Sequence, residues 1–330
     1  MPEAQPEAPH EPYLAQASAP AKAILFGEHA VVYGRPAIAL PVPQLRTTAT
    51  ILPGEGSLKL SSRYRGAGGP RQVDIDLATA GPAEALAVAA RAALRHAGRT
   101  ERTPWQVLVE SGIPTGQGLG SSAAVAVAVV RALGQAAEPD ESWDPQTVAD
   151  LALEAERCVH GQASGIDTAV TAYGAPIRFQ QGRAQPLVLG CPLRLLIADS
   201  GTRGATAEMV AGVRARHAEH PHTYDEWFDR VGQVADDALR ALAEGSPRWL
   251  GQLMNVNHLA LQAMQVSTPL LDSLVAAARH AGAWGAKLTG SGGGGAILAL
   301  VDDERRAAVH DALGEAGAVA ILQLDIDPPG

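Results

Sequence analysis

Four stretches of the chain hold residues whose types and spacing could do chemistry. The first is PTGQGLGSSAA, residues 114–124. Gly116, Gly118 and Gly120 carry no side chains, so backbone N–H groups can approach a ligand closely and adopt positive φ. An apolar helix is expected from Ser121, and its first turn would offer unpaired N–H groups and the positive end of the dipole to an anion. Ser121 and Ser122 add hydroxyls at the same spot. A phosphate cradle fits this pattern, and so does a plain glycine turn before a buried helix.

The second stretch is EAERCVHGQASGIDTAVTAYG, residues 154–174. Glu156 and His160 fall on one helix face, and Asp167 follows on a glycine-flanked turn. Two carboxylates near a helix end, with a serine between, could ligate Mg2+ and orient a hydroxyl. Their ordinary alternatives are a solvated helix glutamate and a helix-capping aspartate. The third stretch, AKAILFGEHAVVYGRPA (residues 21–37), sets Lys22, Glu28 and His29 in an otherwise apolar strand–turn–strand. Charges seldom sit there unless paired or facing a cleft, although His29 could be a core histidine bonded to backbone. The fourth, TGSGGGGA (residues 289–296), contains a literal G-x-G-x-x-G. Strand residues follow it where a dinucleotide site needs a helix, so the Rossmann reading fails on context. A bare hairpin able to lie against a substrate or a phosphate remains. A Walker P-loop is absent, and His217, His220 and His222 lie in a polar setting that suits an exposed helix end better than a ligand set.

The elements that must position these groups can be read coarsely. Residues 1–13 are proline-rich and without periodicity, which predicts a tail. Two short buried strands should flank the Gly27–Gly34 turn, and the alternation on either side of Pro53-Gly54 predicts a hairpin. A helical pattern spans 82–98, and residues 105–111 read as a strand feeding the glycine loop. Asp144 and Pro145 should open a helix that Gly161 closes. In the second half, a strand over LRLLIADSG is followed by helices across 205–281, one opened by Ser267-Thr268-Pro269. A strand–loop–strand over 286–301, a helix over 302–317 and a strand over 318–326 complete the pattern. That order predicts an α+β sandwich, with helices covering one face of a mostly antiparallel sheet.

Composition narrows the function classes. The 330 residues are 46% hydrophobic but only 4% aromatic, so aliphatic side chains and alanine must fill the cores. A net charge of −9 disfavours a general nucleic-acid or anionic-membrane surface. Phosphate would have to be held locally, by backbone dipoles, a lysine or a metal. Cys158 and Cys191 make no disulfide framework. The longest apolar run, Ala123–Val130, is too short to span a bilayer, and no basic-then-apolar leader pattern opens the sequence. A soluble cytoplasmic protein is expected.

Taken in order, APAKAILFGEHAVVYGRPAIAL, PTGQGLGSSAA, ERCVHGQASGIDTAVTAYG and KLTGSGGGGAI resemble the successive signatures of the GHMP small-molecule kinases, from about residue 17 to 300. The pairing of G-E-H-A-V-V-Y-G with H-G-x-x-S-G-x-D is most similar to the branch that phosphorylates mevalonate. The resemblance implies a two-domain α+β fold. A nucleotide-binding domain over 14–188 would contain a ribosomal-protein-S5-like βαβ unit, and a ferredoxin-like α/β sandwich would occupy 189–330. It implies ATP-dependent, Mg2+-assisted phosphorylation of (R)-mevalonate on the route to isopentenyl diphosphate.

By position, Pro114, Gly116, Gly118, Leu119, Gly120, Ser121, Ser122 and Ala123 match the ATP-cradling loop, and Ser122 and Glu156 match Mg2+ ligands. Asp167 matches the aspartate that accepts or orients the hydroxyl proton, and Lys22 the lysine that lowers the hydroxyl pKa. Glu28, His29, Thr206, Gly292 and Gly293 match substrate-side positions. The sequence departs from the usual signatures at Ala21, Ser291 and Ala175, and Ala21 is expected to crowd its turn slightly. The implied partners are ATP and mevalonate, without nucleic acid or membrane, and a homodimer is the assembly considered. Rival readings are another GHMP kinase, a catalytically silent relative that senses a ligand, and an oxidoreductase. A phosphorylated acceptor would call for extra Lys or Arg, of which the Gly27–Gly34 region offers only Arg35.

Overall fold

The computed structural model describes residues 13–66, 69–81, 84–160, 163–204 and 206–328. The expected tail, apart from Tyr13, and the expected helix-closing Gly161 lie outside the described residues. The chain begins with β1 (Ala15–Phe26), turns through a short 3-10 segment at Ala30–Tyr33, and returns as β2 (Ala37–Pro53). The two strands pair antiparallel, from Ala15 opposite Ile51 to Phe26 opposite Ile38. At 12 and 17 residues they are not the short strands expected. From Ala19 onward β1 is buried almost without interruption, because helices cover one face and a second sheet flanks it; alternation then disappears. Ala21, expected to crowd a turn, instead lies within β1, fully buried, where the β1–β2 register shifts after Pro20.

β3 (Lys59–Gly66), β4 (Gly69–Asp76), β5 (Trp105–Ser111), β6 (Ile177–Gln180) and β7 (Arg183–Pro186) complete a seven-stranded sheet. Its order is β4-β3-β5-β2-β6-β7, with β1 along β2. The hairpin expected at Pro53-Gly54 does not form, because β5 inserts between β2 and β3. The turn bonds to the segment before β5 instead, Gly54 N to Pro104 O (2.8 Å) and Leu58 N to Glu101 O (2.9 Å). Alternation marks two strands around a turn but says nothing of which edges pair. The β3–β5 pair is parallel, and β4 and α1 (Ala85–His96) connect its members. α2 (Ser121–Ala137) and α4 (Ile166–Tyr173) pack on this sheet, and α1 and α3 (Pro145–His160) pack on them as an outer layer. α2 is alanine and valine nearly all round and is accordingly a buried central helix. Asp144 opens α3 as expected, its Oδ1 accepting from the N–H groups of Gln146 (3.0 Å) and Thr147 (3.1 Å).

The second sheet holds β8 (Leu193–Asp199), β9 (Gly285–Thr289), β10 (Ala296–Leu300) and β11 (Ala320–Ile326). Its order is β11-β8-β10-β9, antiparallel throughout, as in a ferredoxin-like β-α-β-β-α-β unit. The first crossover is expanded into α5 (Thr206–Glu219), α6 (Pro221–Ala243), α7 (Pro247–Ala263) and α8 (Pro269–His280); α9 (Arg306–Glu315) makes the second. Thr268 caps α8 by accepting from Leu271 N. The α+β fold expected from the element order is therefore the fold found.

The sheets meet along the free edge of β1. Ile24 N donates to Thr289 Oγ1 (3.0 Å), which donates in turn to Ile24 O (2.9 Å). Lys22 N donates to Leu119 O (3.0 Å). The glycine loop before α2 and the glycine turn after β9 are thereby brought to one edge.

Candidate active site

A cavity of about 710 Å³ opens at that edge. Lys22, on β1, reaches into it, and its Nζ lies 2.9 Å from Asp167 Oδ2; the side chains are 5% and 29% exposed. Asp167 stands in the first turn of α4, where the dipole favours a negative charge. Gly116, Gly118 and Gly120 all have left-handed φ, at 80°, 74° and 74°. At Gly120 a side chain is excluded twice, because a Cβ there would also lie 2.6 Å from Lys22 Cγ. The loop turns tightly so that the lysine stem can pass beneath it.

Pro114, Thr115, Gly116, Gly118, Leu119, Gly120, Ser121 and Ser122 line the cavity. Ala123, expected with them, does not; it is fully buried in the first turn of α2. With glycine as N-cap, no side chain takes up the first amides of α2. An uncapped helix start beside a bare loop leaves amides that could receive an anion.

Glu156 lies deeper, on α3, and is 6% exposed. Burial, reinforced by the Asp167 carboxylate and only partly offset by Lys22, holds its pKa up at about 8 against an ordinary 4.5. Two carboxylates share one ammonium here, and the Ser122 hydroxyl lines the same cavity. This hard-oxygen set, short of positive charge, fits a small divalent cation such as Mg2+. The side chain of His160, predicted on the same helix face as Glu156, lies outside the described ones.

The remaining expected residues divide. His29 lines the cavity at φ 62°, with Nε2 2.9 Å from Ser291 O. A bond to a carbonyl requires Nε2 to carry the proton, leaving Nδ1 as an acceptor. Burial lowers its pKa to about 4, with Arg216 adding to the shift and the Ser291 bond opposing it. His29 is therefore neutral at pH 7. Thr206 opens α5 at the cavity rim and accepts a hydrogen bond from Ser291 Oγ (3.1 Å). Glu28 forms part of the wall, but both its oxygens are engaged, by buried Lys287 Nζ and by Asn257 Nδ2 (3.1 Å). Its carboxylate is a clamp rather than an open contact.

Gly292 and Gly293 do not line the cavity; Gly290 and Ser291 do. Gly293 N donates to Val266 O (2.9 Å), and a Cβ on Gly292 would lie 2.0 Å from that same carbonyl. These two glycines serve packing against the α7–α8 connection. Sequence reasoning missed the far wall, made by Ser62 and Tyr64 of β3 and Val73 and Ile75 of β4. Their i, i+2 spacing places each pair on one face, which was the available signal, but nothing in their types marks a site.

Known proteins share both the sequence pattern and the architecture. Residues 84–175 match the GHMP kinase N-terminal domain and residues 238–319 the GHMP kinase C-terminal domain. The mevalonate kinase of Pyrococcus horikoshii is 38% identical over 93% of this chain and 94% of its own. The crystal structure of L. major mevalonate kinase in complex with R-mevalonate superposes with a TM-score of 0.78 at 27% identity, covering 96% of each chain. Streptococcus pneumoniae phosphomevalonate kinase shares the fold (TM-score 0.77) at 18% identity, over 94% of this chain and 99% of its own.

Proposed function

The chain belongs to the GHMP kinase family, and from that premise we propose that it transfers the γ-phosphoryl group of ATP to the primary hydroxyl of (R)-mevalonate. The products are ADP and (R)-5-phosphomevalonate, on the route to isopentenyl diphosphate. The observation that carries this reading is the Lys22–Asp167 pair, held where the uncapped start of α2 meets the glycine loop. Phosphoryl transfer needs a phosphate clamp, a positioned alcohol, charge neutralisation and little else.

The amides of the loop and of the first turn of α2, with the Ser121 hydroxyl, receive the ATP phosphates. Glu156 and Ser122 would hold Mg2+, which supplies neutralising charge to the phosphate oxygens. Asp167 orients the substrate hydroxyl and takes its proton on Oδ1 as the oxygen–phosphorus bond forms and the bond to the leaving ADP breaks. Lys22 holds Oδ2 and stabilises the developing alkoxide. His29, Thr206 and Ser291 face the acceptor's other end, with His29 Nδ1 as a neutral acceptor.

The charge of the cavity favours an unphosphorylated acceptor. Among the described lining residues Lys22 is the one cation, and Arg35 is occupied by Asp229 (2.8 Å) and by the Tyr33 carbonyl. The same reading assigns residues 14–188 to the nucleotide and 189–330 to completing the acceptor pocket. No helix among the described residues is long and apolar enough to cross a membrane, in keeping with a cytoplasmic enzyme. The test is coupled ADP release with mevalonate, phosphomevalonate, galactose and homoserine in turn. Mevalonate alone should drive turnover, and stimulation by a sugar in its place would overturn the assignment.

A further inference from the structure

From residue 114 to 122 every residue borders the cavity except one: Gln117. It turns the other way. Its Nε2 donates to Oδ2 of Asp199, the last residue of β8, which is 7% exposed. The other oxygen of Asp199 is committed as well, Oδ1 accepting from Gly201 N (2.9 Å). Asp199 is itself fixed at one end of the second sheet, paired on both sides, opposite Ala296 of β10 and Ala320 of β11. Around this contact the two glycine loops touch through bare backbone. A Cβ on Gly295 would lie 3.2 Å from Gln117 O, and one on Gly290 would lie 3.6 Å from Gly118 O.

Glycines at every second position, 116, 118 and 120, make a loop with little intrinsic stiffness, since glycine loses the most conformational freedom when ordered. An anion cradle works only if its amides are already aimed. We propose that Gln117 and Asp199 are positioning residues for nucleotide binding: their hydrogen bond anchors the loop to the second sheet and so presets the amides of residues 116–120. Neither touches substrate. The inference rests on the reading of this loop as the ATP-phosphate cradle. It adds that the cradle is tuned from the other half of the molecule.

The polarity of the contact can be reversed without changing its shape. Gln117→Glu alone sets two carboxylates against each other. When Gln117→Glu is combined with Asp199→Asn, the new amide nitrogen donates to the new carboxylate, while the amide oxygen still accepts from Gly201 N. Calorimetric binding of Mg·ADP to the full chain, with steady-state KM for ATP and for mevalonate, reads the effect. Gln117→Glu should weaken ADP binding and raise KM for ATP by about tenfold or more, as expected for losing a charge-assisted hydrogen bond. KM for mevalonate and the thermal midpoint should change little. Gln117→Met, which removes the bond without adding charge, should weaken ADP binding by about half that factor on a logarithmic scale, and the double variant should recover to within about threefold of wild type. Wild-type ADP affinity in Gln117→Glu, or a double variant no better than the single, would overturn the anchor alone. A wild-type chain that binds no adenine nucleotide would overturn the kinase reading, and the anchor with it.

Discussion

Two lysine–carboxylate pairs lie at the seam between the sheets, one across it and one beside it, and their difference separates a pair open to the cavity from one sealed in the interior. Lys287 of β9 and Glu28 are 0% and 1% exposed, and the remaining bonds of both go to protein: Lys287 Nζ to Leu288 O (2.7 Å), Glu28 Oε2 to Asn257. Burial pushes the Lys287 pKa down, and the Glu28 charge restrains that shift. Lys22 and Asp167 are similar in chemistry, but Asp167 is 29% exposed and faces the cavity. A pair sealed on both sides fixes two segments of backbone. A pair with one partner open to a cavity can accept a proton. Residue type does not distinguish them; what surrounds the carboxylate does.

The largest expected effects should fall on opposite observables. Asp167→Asn keeps size and a hydrogen bond but cannot accept a proton, so single-turnover phosphorylation should slow by ~10²–10⁴ while calorimetry still detects mevalonate binding. Lys22→Met should also slow turnover, and the double variant should lose less than the product of the two losses, because the pair acts as a unit. A near-normal rate in Asp167→Asn would reduce it to a favourable charge in the first turn of α4.

Lys287→Met should instead destabilise the fold by about 3–5 kcal/mol in chemical denaturation, since it strands the Glu28 charge in the interior. Adding Glu28→Gln removes that charge and should restore most of the loss. If Lys287→Met kept its stability but lost turnover, the division between the two pairs would collapse.

Glu156 sharpens the comparison through pH. Its native pKa of about 8 lies above the ordinary 4.5, so between those values the native chain holds a proton that the unfolded chain sheds. Stability without metal should therefore be fullest below pH 4.5, as far as this group is concerned, and decline as pH rises toward 8. Glu156→Gln should flatten that decline in thermal melts. In the wild type, Mg2+ binding at pH 7 should release a proton, seen as a buffer-dependent calorimetric heat that Glu156→Gln abolishes. A smaller effect is expected at Gly120. There Gly120→Ala meets both the φ of 74° and the Lys22 stem, and KM for ATP should rise several-fold with modest loss of thermal stability.

Much of this was legible in the sequence, for identifiable reasons. The glycine loop, α2 and the Asp144 cap follow from local rules, and the structure has them where those rules put them. The Glu28 clamp was not legible, because its partner lies 259 residues away and apolar flanks mark a charge as unusual without saying what neutralises it. The same limit produced the false hairpin at Pro53-Gly54, where a strand from residues 105–111 takes the place of the expected partner. Gly292 and Gly293 lie outside the cavity lining for a different reason. Absence of a side chain shows that something approaches closely, and here it is the Val266 carbonyl at Gly292 and the Met209 side chain at Gly293.

The bond between Thr289 and Ile24 has a consequence for synthesis. Among the described strands β1 pairs with β2 alone, so its other edge depends on contacts such as the Leu119 carbonyl and the Thr289 hydroxyl. The latter emerges from the ribosome 265 residues after Ile24. At roughly 5–20 residues per second the interval is tens of seconds. During it a long, apolar strand edge stands available to a neighbouring nascent chain. Aggregation in the cell should therefore be governed by how fast β9 is delivered. A circular permutant that begins at β8 and so makes β9 first should give more soluble protein at the same equilibrium stability.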